Sequence, residues 1–268
     1  LVYNTLSTGI ETIETVDSIA DGITLNLFDY DESKGINYGK DFKFTNGGVN
    51  EADINRYHKG TGNNAVFDGI FKRNMAKTQD GVYTFPVFSD PYNNGDDAAY
   101  LFSTQTVNGK DVYANVNYLF KKNSDGYYVY DSSENYAYYN ESQKRFVVYN
   151  VPAAPNGDAD CYMKGNFFPF NTLASNSSVK DRNTGLRNFE TGSGSTTKNT
   201  HFGMTMSASF SQPAKGKIND KNMVFKFTGD DDVWVFIDGV LVLDIGGVHD
   251  ALDGSIDFAT GKVTVTGQ

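Results

Sequence analysis

Three adjacent aspartates, Asp230-Asp231-Asp232, stand between two apolar runs and are the residues of this chain best suited to chemistry. Neighbouring carboxylates repel one another, and a short turn leaves them little room to separate. A hard divalent cation removes that repulsion, and calcium takes about six to eight oxygen ligands from carboxylates, backbone carbonyls and water. Downstream, the stretch Gly246 to Gly254 adds flexible backbone, His249 and two more carboxylates, Asp250 and Asp253. Two other readings stay open for the triplet. One is a solvated acidic turn that serves solubility. The other is a carboxylate pair for glycoside hydrolysis, which adjacent positions on one turn serve poorly because such a pair must straddle the sugar bond. The spacing is not that of an EF-hand loop.

The elements that must position these residues read as strands. Val233-Trp234-Val235-Phe236-Ile237 and Leu241-Val242-Leu243-Asp244-Ile245 flank Asp238-Gly239, and Asp-Gly between apolar runs is a strong hairpin signal. Period 2 puts Trp234 and Phe236 on one face and Val233, Val235 and Ile237 on the other. A core role for Trp234 competes with a sugar-stacking platform. Two strand reversals separate the acidic turn from the Gly-rich loop, which allows both to lie at one end of a sandwich. Upstream, Ile23 to Tyr30, Asp41 to Phe44, Tyr83 to Phe88, Phe202 to Phe210 and Met223 to Phe227 are strand-like. Tyr127–Tyr130, Tyr136–Tyr139 and Arg145–Tyr149 predict a three-stranded meander, whose tyrosines serve as cross-strand pairs or as a flat binding face. A short helix is expected within Ile70 to Met75. Residues 151–200 form a long irregular stretch.

Composition narrows the classes. Aromatic residues reach 14% and Gly numbers 27, which favours strands and turns over helices. The net charge of −10, with no basic patch, argues against a nucleic-acid partner and suits cations and neutral ligands. The one cysteine, Cys161, excludes an intrachain disulfide and a cysteine-based metal site. No apolar run approaches the ~20 residues of a membrane span. No nucleophile elbow, paired Cys and His, or phosphate loop is present, so a non-enzymatic role is expected. The chain starts with Leu and shows no signal peptide, which fits a processed piece of a longer protein.

The run GDDDVWVFIDG followed by LVLDIGGVHD resembles the fibro-slime branch of the protective-antigen-type, flocculin-like lectin domain family. Asp230-Asp231, Asp238-Gly239 and Asp244 match its pattern, whereas Asp232 stands where a smaller residue is usual. The resemblance implies a calcium ion ligated by Asp230 and Asp231 that in turn binds sugar hydroxyls. His249, Asp250 and Asp253 are read as ligand-binding residues on the same face. The family continues with further strands, so a chain ending at Gln268 implies a C-terminally truncated domain or strands supplied from elsewhere.

The expectation is therefore an all-β protein, an antiparallel β-sandwich or barrel with long loops and little helix. Residues 1–150 form a β-rich N-terminal region, as a separate domain or an extension, and residues 151–268 the lectin-like domain. The implied function is an extracellular, calcium-dependent carbohydrate-binding adhesin module of a bacterial surface protein. Its partner is a cell-surface or dietary polysaccharide, without nucleic-acid binding or membrane insertion, beside other surface-protein domains. The alternatives are a structural or protein-binding module with a purely structural calcium, and a non-catalytic domain of a polysaccharide-degrading enzyme.

Overall fold

The structure, a computed structural model, describes residues 11–30, 69–89, 95, 97–150, 167–170, 191–192, 195–196, 202–229, 232–246 and 251–267. The Asp41–Phe44 strand, Cys161 and most of the 151–200 stretch lie outside the described residues. The chain divides into two compact units, Leu1–Asp29 with Val112–Ser209 and Tyr30–Asp111 with Phe210–Gln268. Both draw on residues from either side of position 150.

The first unit is built on β1 (Ile23–Tyr30), the strand whose apolar alternation is clearest in the sequence. A 3-10 turn at Ser18–Asp21 leads into it, capped by the Asp17 side chain and closed by Gly22 at φ 81°. The other strands are β2 (Lys110–Val116), β3 (Lys121–Lys122), β4 (Tyr128–Val129), β5 (Tyr136–Asn140), β6 (Arg145–Tyr149), β7 (Thr191–Gly192), β8 (Ser195–Thr196) and β9 (Phe202–Ala208). The main sheet has the order β2-β1-β9, with β1 and β9 antiparallel from Ile23↔Ala208 to Asp29↔Phe202. The β5-β6 hairpin contributes Ala137, Tyr139, Phe146 and Val148 to a core shared with Leu25 and Leu27 of β1. On its other face Tyr138 and Tyr149 stack, with centroids 6.0 Å apart and planes 8° from parallel. The tyrosines are thus cross-strand pairs, as one of the two sequence readings has it.

The expected three-stranded meander is a two-stranded one. β4 pairs with β3 rather than with β5. Local turn chemistry decides this. The Asn123 side-chain oxygen accepts the backbone N–H groups of Asp125 and Tyr127, and Gly126 takes φ 88°. That Asx turn folds Tyr128 back onto Lys122 before the chain reaches Tyr136.

The second unit contains α1 (Ala99–Phe102), a single turn. Its strands are β10 (Lys217–Ile218), β11 (Lys221–Asn222), β12 (Val224–Gly229), β13 (Val233–Ile237), β14 (Val240–Ile245), β15 (Leu252–Asp257) and β16 (Lys262–Gly267). An antiparallel sheet in the order β12-β15-β16 forms one layer and the β13-β14 hairpin the other. Leu243 and Ile245 of the hairpin pack with Leu252 and Ile256 of the sheet, joined by Phe225, Val233, Val235 and Ile237. Full burial of each such side chain contributes ~1.5–3 kcal/mol, so this face-to-face packing is what holds the layers together. Gly254 marks their closest approach: a β-carbon there would meet Ile245 Cδ1 at 2.6 Å. The fold class is all-β and antiparallel, consistent with a sandwich, and no closed barrel forms among the described residues.

Ile70 to Met75 is extended rather than helical. Residues 71–77 bridge back onto 83–88 through Phe71↔Phe88 and Lys77↔Tyr83, and they also flank β14 through Asn74↔Val240. The Leu241 N–H donates to the Arg73 carbonyl and the Met75 N–H to the Gly239 carbonyl. Those tertiary partners satisfy the backbone groups that a helix would have paired internally. Two strands escaped the sequence reading. Leu252–Asp257 begins within the expected Gly-rich loop, and Lys262–Gly267 carries only a short alternation.

Candidate functional site

The acidic turn joins β12 to β13, and the Gly-rich loop joins β14 to β15. Gly229, the last residue of β12, pairs with Leu252, the first of β15. Val233, the first residue of β13, pairs with Ile245, the last of β14. Each connection therefore runs between the same two strand-end pairs, and the two leave the sandwich at one end. Asp230, Asp231, His249 and Asp250 lie outside the described residues. Asp253 is described. It is the second residue of β15, pointing away from the core that Leu252, Gly254 and Ile256 enter. Its Oδ1 accepts the hydroxyl of its register partner Thr228 at 2.6 Å. Among the described residues no three His, Cys, Asp or Glu side chains are grouped to hold a metal ion.

At the opposite end of the hairpin, Asp238 and Gly239 take φ 47° and 72°. Two successive positive φ values are those of a tight two-residue hairpin turn. The ring of Tyr83 covers Gly239 so closely that a β-carbon would fall inside it. Lys77 Nζ lies 4.2 Å from the centre of the same ring. The Asp-Gly of the family pattern serves here as a turn, far along the hairpin from the acidic connection.

Just inside the loop end, Trp234 and Asp244 are register partners. Trp234 meets Phe71 edge to face, with ring centroids 4.7 Å apart, and its indole lies against Gly246. This packing favours the core role over an exposed stacking platform. The Asp244 Oδ2 accepts the Gly69 N–H at 3.2 Å. Beside this pair opens a pocket of about 390 Å³ lined by Gly69, Phe71, Arg73, Leu241 and Asp244. Arg73, Phe71 and Gly69 carry no local signal that would place them at a site, because their neighbours there lie some 170 positions away in sequence.

Comparison with known families gives a match over the C-terminal part of the chain. Residues 156–267 match the PA14 domain. PA14 domains are β-rich modules of carbohydrate-binding or adhesin-like character. The PA14 segment contains β7 through β16 and both connections at the loop end. Curated relatives come from Dictyostelium discoideum and are not bacterial. Protein psiF is 35% identical over 182 residues, 65% of this chain and 24% of the relative. Protein psiP is 33% identical over 118 residues, 41% of this chain and 15% of the relative. Protein psiB is 47% identical over 72 residues, 27% of this chain and 12% of the relative. The chain thus spans about a quarter or less of the length of these relatives, and the psiF likeness reaches beyond the PA14 segment. No solved structure matches the chain significantly.

Proposed function

We propose that this chain is an extracellular, calcium-dependent carbohydrate-binding adhesin module of the fibro-slime type. Asp230 and Asp231 hold the ion in this reading, and His249, Asp250 and Asp253 contribute the groups nearest the glycan. Bound calcium supplies the positive charge that adjacent carboxylates need and takes sugar hydroxyl oxygens as ligands. The observation that carries the reading is the register of the strand ends. Gly229↔Leu252 and Val233↔Ile245 bound both connections, within the segment that matches PA14. The all-oxygen donor set of the acidic turn suits a hard cation, and the net charge of −10 suits a neutral ligand over an anionic one. The partner is a polysaccharide of a cell surface or of the surroundings.

A second reading, in which the ion only stiffens the loops, draws on Asp253. Its bond to Thr228 already commits one carboxylate oxygen to the protein.

Thermal unfolding with calcium and with chelator tests the proposal. At 100-fold excess over the dissociation constant one ion adds ~2.7 kcal/mol. For a domain of this size that raises Tm at ~2–4 °C per kcal/mol. Asp231→Ala abolishes the rise, and a glycan array shows binding with calcium that chelator removes. A calcium shift without glycan binding favours the second reading. No shift in the native chain overturns the calcium site.

A further inference from the structure

We propose that Asn140 is the acceptor of an N-linked oligosaccharide, carried at the tip of the β5-β6 hairpin. Asn140-Glu141-Ser142 fits the Asn-x-Ser/Thr acceptor pattern in which x is not Pro. The other match in the sequence, Asn176-Ser177-Ser178, lies outside the described residues. The proposal rests on the extracellular part of the reading above, because this sugar is added in the lumen of a secretory pathway. The curated relatives come from a eukaryote, Dictyostelium discoideum, which has that pathway.

The pattern by itself is short, and the hairpin supplies the second requirement. A bulky, hydrated sugar must attach where the chain faces water. Asn140 is the last residue of β5 and pairs with Arg145, the first of β6. The residues between them, Glu141 to Lys144, are all exposed. Tyr139 and Phe146, a register pair one step inward, belong to the core. Strand alternation therefore puts Asn140 on the face turned away from that core, where it is partly exposed.

The hydrogen bonds of the amide leave room for the new linkage. Its Oδ1 accepts the Ser142 hydroxyl at 2.8 Å and the Gln143 N–H at 3.1 Å, and its Nδ2 donates to the Tyr138 hydroxyl at 3.1 Å. An amide nitrogen carries two N–H groups, and the second has no partner among the described residues. In the transfer, the C1–O bond of a polyprenyl-pyrophosphate-linked oligosaccharide breaks and a C1–Nδ2 bond forms. The pyrophosphate leaves with the bonding electron pair, and one Nδ2 proton passes to a base of the transferase. One N–H remains to serve the Tyr138 hydroxyl. Tyr138 lies two residues back on the same face, where its ring stacks with that of Tyr149 and gives the first sugar an apolar neighbour.

The test expresses the whole chain behind a cleavable secretion signal in a eukaryotic cell line. Occupancy is mapped by mass spectrometry after enzymatic deglycosylation in ¹⁸O-water, in lysate and medium alike. Asn140 is expected to be occupied. Asn140→Gln and Ser142→Ala are each expected to lose the mobility step of one oligosaccharide, whereas Ser142→Thr and Asn176→Gln keep the modification at Asn140. The sugar is transferred during synthesis, so a variant that folds poorly still reports its occupancy. A chain whose signal has been removed while Asn140 stays unmodified overturns the proposal. So does a mobility step that survives Asn140→Gln in the Asn176→Gln background. Occupancy behind the added signal, with the natural chain found inside the cell, supports the acceptor site and defeats the extracellular reading. An unmodified Asn140 in a chain that binds glycans with calcium does the reverse.

Discussion

A β-carbon at Gly246 would lie 2.6 Å from the indole Nε1 of Trp234. The glycine that opens the Gly-rich loop is therefore seated directly on the tryptophan that packs against Phe71. Gly246→Ala requires a rigid ring or the backbone to move, and overpacking of this kind costs ~1–3 kcal/mol. Differential scanning calorimetry should show a Tm lowered by several degrees, with a changed Trp234 emission spectrum. Gly254→Ala should cost less. Its nearest neighbours, Ile245 Cδ1 and Leu243 Cδ2, are the far ends of flexible side chains.

Gly239 faces two constraints at once, a φ of 72° and the Tyr83 ring. Gly239→Ala is expected to destabilise by more than the ~1–2 kcal/mol of a left-handed residue alone. Removing the ring relieves only the steric part. The double substitution Gly239→Ala/Tyr83→Ala should therefore be less destabilising than the sum of the two singles, measured by urea denaturation as a double-mutant cycle.

Asp257 caps the turn between β15 and β16. The Asn222 amide donates to its Oδ2 at 2.9 Å, and the Ala259 and Thr260 N–H groups donate to its Oδ1. The Asn222 hydrogen bond is the chief cause holding its carboxyl below the usual 3.8, with those backbone donors assisting against partial desolvation. A depressed folded-state pKa gives stability that is present above the unfolded value and lost as pH falls through the folded one. The Tm gap between the native chain and Asp257→Asn should thus narrow once pH drops below about 3.8. A gap constant over that range counts against the cap.

Tyr139 and Tyr149 carry the opposite linkage. Burial pushes both phenols up to about 12, with the Glu141 charge adding to Tyr139 and Tyr138 to Tyr149. A raised folded-state pKa stabilises the fold fully below the unfolded value near 10, and that contribution fades as pH rises towards 12. Ultraviolet titration should show these two tyrosines ionising after the exposed ones. Tyr149→Phe should make unfolding less sensitive to pH in that alkaline window.

What the sequence determined by itself was local. Alternation alone places β1 at Ile23–Tyr30 and β13 at Val233–Ile237, and Asp238-Gly239 announces the turn between β13 and β14, because period and positive φ depend on a few neighbouring residues. Tertiary structure decided what depended on distant hydrogen-bond partners. Ile70 to Met75 became a ribbon because β14 offered its edge, and Tyr128 turned back to Lys122 because Asn123 closed a turn. The pairing of Gly229 with Leu252 and of Val233 with Ile245 brings the two connections to one end. The pocket between Arg73 and Asp244 exists only because residues some 170 positions apart share one sheet edge, a juxtaposition that no window of sequence contains.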